Sequence, residues 1–525
     1  MNKVLIADGL SPSAMEVFRE RGIEAEARPG LPPSELAAVI GDYDGLAVRS
    51  ATKVTRALLE AAPRLKVVGR AGIGVDNIDV AAATQRGVVV MNAPHGNAVT
   101  TAEHAIAMML ALARNIPQAS ASTHAGRWEK ERFVGVELAG KTLGVIGCGN
   151  IGSIVVDRAH GLKMRVIAFD PFLSEDRALD LGVERVELDA LLARADFVTL
   201  HTPLTDGTRH MIDAAALAKM KRGARLINCA RGELVVEADL KAAIESGHLA
   251  GAALDVFGQE PARSNPLFGL DRVVATPHLG ASTGEAQEKV AVQIAEQIAD
   301  FLLSGAVANA VNMPSVTAEE APRLKPYIAL AQQLGSLAGQ LTRSGLRSVT
   351  VEYEGLAAGL NTRPITAAAL AGLLSPMLDH VNMVNAAVLA RERDIDITEV
   401  KHDRPTDYQT LIRLDVETDR QRRGVAGTLF GGDKPRLVEI KGIPVEAELG
   451  RHMLYVTNED RPGLIGRLGT MLGDAGVNIA TFHLGRSAPG GEAIALVEVD
   501  QAIPESLLAE LRRIPNVRQA VGLSF

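Results

Sequence analysis

Gly147-Cys148-Gly149-Asn150-Ile151-Gly152 follows the apolar run TLGVI and opens a helical pattern, and Asp170 ends the next apolar run about 20 residues on. Few arrangements constrain a chain more. The glycines allow a tight turn and let the backbone approach a pyrophosphate, while a helix N-terminus turns its free N–H groups toward the anion. A GxGxxG alone says little in a chain with 50 glycines. Here the strand before it, the helix after it and the acid beyond it predict a dinucleotide site. Asp170 would bond the adenosine ribose hydroxyls and repel a 2′-phosphate, which favours NAD over NADP. Cys148 fills a variable position of the loop.

The loop sits in a larger alternation. From Lys141 the runs TLGVIG, RVIAFD, FVTLH, ARLINCA, GAALDVF and RVVATP alternate with helical patterns. Such a set of runs predicts a complete doubly wound parallel sheet of the Rossmann type. Upstream, residues 4–7, 45–48, 66–68 and 88–91 are short apolar runs separated by helical patterns, which predicts a separate α/β unit with a parallel sheet. TTAEHAIAMMLALAR, with Thr100 and Glu103 at capping-box spacing, predicts a helix linking the two. Ser282 and Glu285 repeat that spacing before a helical pattern that runs to Phe301. This helix is expected to return the chain to the first unit and make the first domain discontinuous.

Residues 312–326 are polar and hold three prolines, which suggests a linker. Beyond it come helical patterns at 327–343 and 366–391 and strand-like runs at 348–353 and 410–416. From His452 the order is βαββαβ.

Composition removes several function classes. A chain of 525 residues carries a soft expectation of three or four domains. The net charge of -8, with both signs mixed along the chain, argues against a nucleic-acid groove. Two cysteines offer neither a disulfide framework nor a metal-ligand cluster. The most apolar stretch, 105–113, is far short of a membrane span, and Asp8 ends an N-terminal run too short for a signal segment. A cytoplasmic protein with no membrane or metal partner is expected.

Three polar residues sit at strand ends or in the loops after them: Arg231 after RLINCA, Glu260 in QEP and His278 after VVAT. In an open α/β sheet the ligand crevice lies beyond the carboxyl ends of the strands, so all three can face one cleft. Oxidation of a carbinol needs a base for the hydroxyl proton, and imidazole titrates near neutral pH. Glu260 would hold the His278 tautomer, and Arg231 offers a planar fork to a carboxylate or carbonyl oxygen. Taken singly, each has a bland reading as a structural histidine or a solvated charge. The cofactor loop is what makes them a set.

GRAGIGVDNID, GCGNIG, HTPL, NCARGE, AALDVF, QEP and PHLGAST, in that order between residues 48 and 283, resemble the D-2-hydroxyacid dehydrogenase family. The resemblance implies catalytic roles for Arg231, Glu260 and His278. It implies NAD contacts at Gly147, Gly149, Asn150, Ile151, Gly152, Asp170, Thr202, Cys229, Ala230, Asp255, Gly280 and Ala281. VRSATKV and NCARGE are similar to the members that act on D-3-phosphoglycerate, which implies Arg49, Ser50, Arg70 and Gly74 in the substrate pocket. Arg49 and Arg70 would neutralise a phosphate, or else salt-bridge locally. Lys130 and Arg132 would reach a neighbouring subunit's site.

NEDRPGLIGRLGTMLGDAGVNIATFHLGR resembles an ACT module, in which Asp460 and Asn478 would hold an amino acid, by implication L-serine. Some relatives carry His where this chain has Asn458, which puts serine affinity in question; an ACT fold used only for assembly is the other reading. VAGTLFGGDKPRLVEI resembles the intervening domain of long-type relatives, where Lys434, Arg436 and Lys441 would bind anions or form a solvated basic face.

The expected fold is therefore α/β, with a Rossmann-type sheet inserted in a flavodoxin-like substrate domain, then an α+β intervening domain and a C-terminal ACT domain. The expected boundaries are 1–96 with 284–314, 97–283, 315–450 and 451–525. The expected reaction is NAD-dependent oxidation of D-3-phosphoglycerate, opening L-serine synthesis, by a homodimer or homotetramer. The rival within the class is a glyoxylate or hydroxypyruvate reductase. The rival outside it is a regulatory sensor of NAD and an amino acid.

Overall fold

The computed structural model of the chain describes residues 2–94, 96–317, 319–402 and 407–525. Four sheets follow one another along it. β1 (Lys3–Ile6), β2 (Glu24–Ala27), β3 (Gly45–Val48), β4 (Val67–Arg70) and β5 (Val89–Asn92) form a parallel sheet in the order β2-β1-β3-β4-β5. This is the flavodoxin-like order. β3 is buried along its whole length, as befits a strand covered on both faces. β2 does not show among the apolar runs because EAEA lies at the sheet edge, its first and last residues exposed and Glu24 paired with Lys3.

The helix Ala98–Ala113 leads to the second sheet. Thr100 lies within its first turn rather than at its cap, and no side chain caps it. β6 (Thr142–Ile146), β7 (Arg165–Phe169), β8 (Glu184–Arg185), β9 (Phe197–Leu200), β10 (Arg225–Asn228), β11 (Gly251–Leu254) and β12 (Val273–Ala275) pair in the order β12-β11-β10-β9-β6-β7-β8. The sheet has seven strands rather than six, because β8 is two exposed charged residues with no apolar signal.

The helix Gly284–Ser304 then returns to the first sheet. Its cap is Thr283, whose Oγ1 accepts from Ala286 N at 3.2 Å, one residue beyond the expected Ser282. Ile294 and Ile298 press on β4 at Gly69, where a Cβ would lie 2.6 Å from both. Residues 309–312 then cover the free edge of β5: Val311 N donates to Val90 O, and Asn312 bonds Val90 N and Val88 O. That removes an unpaired strand edge.

The expected linker is only partly irregular. A helix begins at Ala321 and runs through Pro326 to Leu341; Ala318 lies outside the described residues. This helix and Arg363–Leu374 pack on a six-stranded mixed sheet in the order β14-β13-β15-β16-β17-β18, formed by β13 (Leu346–Gly355), β14 (Asp396–His402), β15 (Thr410–Thr418), β16 (Arg422–Phe430), β17 (Lys434–Ile440) and β18 (Ile443–Ala447). The helix expected over 366–391 is two, Arg363–Leu374 and Ala386–Arg391. Pro376 has no N–H to continue the hydrogen-bond ladder and ends the first. The loop between them carries Asn382 and Asn385, which donate to Gly87 O (2.8 Å) and Gln85 O (3.2 Å) of the first domain.

The tail is an antiparallel sheet, β20-β21-β19-β22, of β19 (His452–Glu459), β20 (Ile479–Arg486), β21 (Glu492–Val499) and β22 (Val517–Ser524), with helices Leu464–Asp474 and Glu505–Leu511 giving the βαββαβ order. Leu454 and Val456 pack under its helices, while Met453 and Tyr455 join the core of the preceding unit. No helix among the described residues is long and apolar enough to cross a membrane.

Candidate active site

At Gly147 (φ 92°) the chain turns off β6, and a Cβ there would lie 2.6 Å from His201 O at the end of β9. Gly152 sits so close that its Cβ would lie 1.9 Å from Gly147 O, whereas Gly149 faces open space. The three positions thus divide the work: a turn, an open approach for an anion, and close helix–strand packing. The helix Asn150–Gly161 begins there and offers its unpaired N–H groups. Asp170 Oδ2 accepts Cys148 N and Oδ1 accepts Phe172 N, both at 2.8 Å, so the carboxylate braces the loop it follows. These residues fit a dinucleotide.

Asn150 Nδ2 reaches Pro94 O across to the first domain at 3.4 Å, and half-buried Ile151, on the same helix, packs against the core of the second domain. Thr202 follows His201 against the same turn, its amide N 3.0 Å from where a Gly147 Cβ would be. Cys148 and Cys229 are buried. Burial, then the charge of Asp170, pushes the Cys148 thiol up to about 12, and burial with Asp255 raises Cys229. Both are packing residues, closed to thiolate chemistry.

His278 and Glu260 meet: His278 Nδ1 lies 2.6 Å from Glu260 Oε2, and Glu260 Oε1 accepts Phe257 N at 3.0 Å. Burial alone would raise the Glu260 carboxyl, but the His278 hydrogen bond and charge, the Phe257 amide and the charge of Arg231 together hold it below its ordinary value. The other imidazole nitrogen is left for a substrate, and the side chain is 45% exposed. His278 sits at φ 55°, a left-handed conformation that L-residues avoid. Hydrogen bonds hold it there. His278 N donates to Asp255 O (2.9 Å) and Thr276 O (3.0 Å).

Asp255 is the anchor of this turn. Its side chain is 1% exposed; Oδ1 accepts Leu279 N (2.7 Å) and Thr276 Oγ1 (2.6 Å), and Oδ2 accepts Gly280 N (2.8 Å). His104, on the helix Ala98–Ala113, adds a contact at 3.2 Å. So Asp255, expected on the cofactor, turns its carboxylate into the 278–280 loop, with Ala281 next along. Burial raises its carboxyl, and the His104, Thr276 and Leu279 bonds overcome that and lower it. A depressed folded value contributes stability above the unfolded pKa that is lost as pH falls through the folded one. Asp255→Asn is therefore expected to cost about 1–3 kcal/mol at neutral pH by leaving a buried donor unpaired. Urea denaturation from neutral pH down through the carboxylate range should show less acid dependence in Asp255→Asn than in the native chain.

Across the cleft, Arg231 Nε binds Asp76 Oδ2 at 2.7 Å and Nη1 donates to Ala230 O at 2.6 Å. Asp76 belongs to the loop after β4, so this pair joins the two domains at the site. Arg70 ends β4 beside it. Burial, then the charges of Arg231 and, further down, Arg49, pull the Arg70 guanidinium down to about 10, against the opposing pull of Asp76 and Asp8. Its Nε finds no hydrogen-bond partner among the described residues. Arg70, desolvated and within the field of two further guanidinium charges, is set to take an anionic partner. Arg49 is fixed by its N–H to Asp8 Oδ2 (2.6 Å) and its Nη1 to Gly9 O (3.2 Å), with exposed Ser50 next to it.

Gly74 has a physical reason here. A Cβ would lie 1.5 Å from Arg231 Nη2. Gly74→Ala is expected to push this flexible arginine aside, raising KM for the acid substrate while the melting temperature stays near that of the native chain.

Four supports escaped the sequence reading. Asp8 holds Arg49 and Thr52, Asp76 holds Arg231, Asn77 Nδ2 ties Arg49 O and Thr52 O at 2.7 Å each, and His104 backs Asp255. Their signal was position: Asp8 follows β1, and Asp76 and Asn77 lie in the GRAGIGVDNID loop.

The remaining candidates lie elsewhere. Asp460 Oδ2 accepts from Arg486 Nη1 (2.9 Å) and Gly490 N (3.2 Å), and its carboxyl is lowered chiefly by Arg486. Asn478 Nδ2 donates to Asp500 (2.8 Å), while Asn458, 4% exposed, donates to Glu459 O. Arg436 pairs with Glu448, and Lys441 lies 3.7 Å from Glu492, so two cations of the basic run are already paired; Lys434 is exposed. Arg132 pairs with Asp271 and Glu129, and Lys130 is exposed.

Residues 106–280 match the family model for the D-isomer specific 2-hydroxyacid dehydrogenase NAD binding domain, 323–441 that for the D-3-phosphoglycerate dehydrogenase intervening domain, and 452–516 the ACT domain. The D-3-phosphoglycerate dehydrogenase of Synechocystis is 42% identical over 99% of this chain and 94% of its own length. That of Methanocaldococcus jannaschii is 44% identical over the whole of both. The chain belongs to the D-3-phosphoglycerate dehydrogenase family. It is an NAD-dependent oxidoreductase, and NAD is its cofactor. The D-lactate dehydrogenase of Aquifex aeolicus, solved with NAD and lactic acid, superposes with a TM-score of 0.53 at 27% identity, covering 60% of this chain and all of that one.

Proposed function

We propose that this chain oxidises D-3-phosphoglycerate to 3-phosphohydroxypyruvate, the first step of L-serine synthesis. Full-length identity to enzymes of that name supports the reaction. One arrangement carries the substrate: Arg231 acts on Glu260, the partner of His278, and also on Arg70, which feels the charge of Arg49 as well. D-3-phosphoglycerate brings a carboxylate and a phosphate to that cluster.

NAD supplies the hydride acceptor. The free nitrogen of His278 takes the hydroxyl proton, and Glu260 stabilises the imidazolium that results. Arg231, held by Asp76, binds the carboxylate and the developing carbonyl oxygen. Arg49 and Arg70 bind the phosphate, with Ser50 beside them and Gly74 leaving room for Arg231. Gly147, Gly149, Asn150, Ile151 and Gly152 hold the pyrophosphate, Asp170 the ribose, and Thr202, Cys229, Ala230, Gly280 and Ala281 line the rest of the cofactor cleft. Asp255 acts through the loop that carries His278. The two domains close on the ligands and exclude water.

The ACT unit gives serine a place to act, at Asp460 and Asn478 on a paired copy. Both side chains already hold internal partners, so serine must displace or extend these bonds. The enzyme works as a cytoplasmic homotetramer or dimer without nucleic-acid partners.

The test is the initial rate of NADH formation from D-3-phosphoglycerate and NAD, with and without millimolar L-serine. Turnover suppressed by serine supports substrate and effector together. Turnover indifferent to serine leaves Asp460 and Asn478 structural. Turnover only on unphosphorylated hydroxy acids overturns the substrate assignment.

A further inference from the structure

A second cavity opens far from the catalytic cleft, where the first domain meets the intervening one. It encloses about 760 Å³, within the usual range of small-molecule sites. Its apolar wall is drawn from both domains: Leu65, Val89 and Phe301 on one side, and Ile328, Val381 and Met383 on the other. Four cations, Arg64, Lys66, Arg86 and Lys325, stand among its lining against a single carboxylate, Asp44. Asp44 is already taken by Arg64 and Lys66, each at 3.1 Å. No hydrogen bond or ion pair holds the Arg86 or Lys325 side chain among the described residues.

We propose that this cavity binds a small organic anion with an apolar body, such as a fatty-acid carboxylate. The apolar wall calls for a hydrocarbon and is too large to be left to single exposed side chains. The excess of cations at its lining calls for one anionic head, and Arg86 and Lys325, contributed by different domains, are the two cations left to receive it. The site has a structural consequence as well. One edge of the cavity is the loop 380–384, and its Asn382 donates to Gly87 O, itself in the lining. A ligand there touches both sides of the bolt that joins the two domains, and tightens it.

Isothermal titration of the full-length enzyme with laurate, below its micelle concentration and with NAD saturating, tests this. One laurate per chain is expected. Arg86→Glu with Lys325→Glu should weaken binding at least tenfold, and Ala321→Trp, which fills the mouth, should abolish it. NADH formation by each variant, at the native rate, reports an intact fold. No saturable binding to the native enzyme overturns the proposal. Loss in Ala321→Trp alone shows that the cations do not hold the carboxylate and overturns the anion site. Loss in the charge variant alone places laurate on the surface and overturns the cavity.

Discussion

Replacing His278 by alanine is expected to lower kcat for NADH formation roughly 100- to 10,000-fold, the usual worth of a positioned general base. NAD affinity should hold, because the glycine loop and Asp170 lie on other strand ends. The loss falls on kcat, since His278 takes its proton only as the carbinol is oxidised. Alanine at this left-handed position keeps the same backbone bonds to Asp255 O and Thr276 O, so the fold is retained. Glu260→Gln should cost less, because the amide oxygen can still accept from Nδ1, although the charge and the acceptor for Phe257 N are lost. Stopped-flow rates with circular dichroism on the same samples separate the chemistry from the fold. Native turnover in His278→Ala would remove the imidazole from the mechanism.

Arg231→Ala is expected to reduce kcat/KM for D-3-phosphoglycerate by roughly 100- to 1,000-fold, the usual cost of removing a donor that holds charge developing on the substrate. Two losses add. The substrate carboxylate loses its planar fork, and Asp76 is left in the cleft as an uncompensated negative charge facing an anionic substrate. Arg231→Lys restores charge but not the fork, and should recover only part of the loss. Arg231→Ala with Asp76→Ala should be less damaged than Arg231→Ala alone, since the second change removes the stranded carboxylate. Steady-state kinetics on the four proteins of this cycle decide it. If the two changes simply add, Asp76 is not acting through Arg231.

The parts of this site that were legible in the sequence are those where chemistry dictates residue type at a fixed place in a strand–turn–helix unit. Gly147 and Gly152 had to lack a Cβ, and approaches of 2.6 and 1.9 Å say why. His278 and Glu260 follow two different strands, and only the sheet order brings them to 2.6 Å. The supporting residues were not legible for the converse reason. An aspartate in a loop reads as solvated, and nothing in the residues around Asp8, Asp76 or Asp255 shows that backbone N–H groups or an arginine will converge on it.

The fold followed the same rule. Buried strands announce themselves as apolar runs, whereas β2 and β8 are edge strands of charged or small residues held by neighbours distant in sequence. The break after Leu374 was written in Ser375-Pro376, but its purpose, carrying Asn382 and Asn385 to the first domain, exists only in three dimensions.

The account rests on a cationic cluster built for a phosphate. Its most direct test is the ratio of kcat/KM for 3-phosphohydroxypyruvate to that for hydroxypyruvate, read as NADH consumption in the native enzyme and in Arg49→Ala and Arg70→Ala. The expected result is a preference of roughly 30-fold or more for the phosphorylated acid, the worth of about 2 kcal/mol or more in charge pairing, falling sharply in either variant. Equal efficiency on the two acids, or a preference untouched by both substitutions, would contradict it.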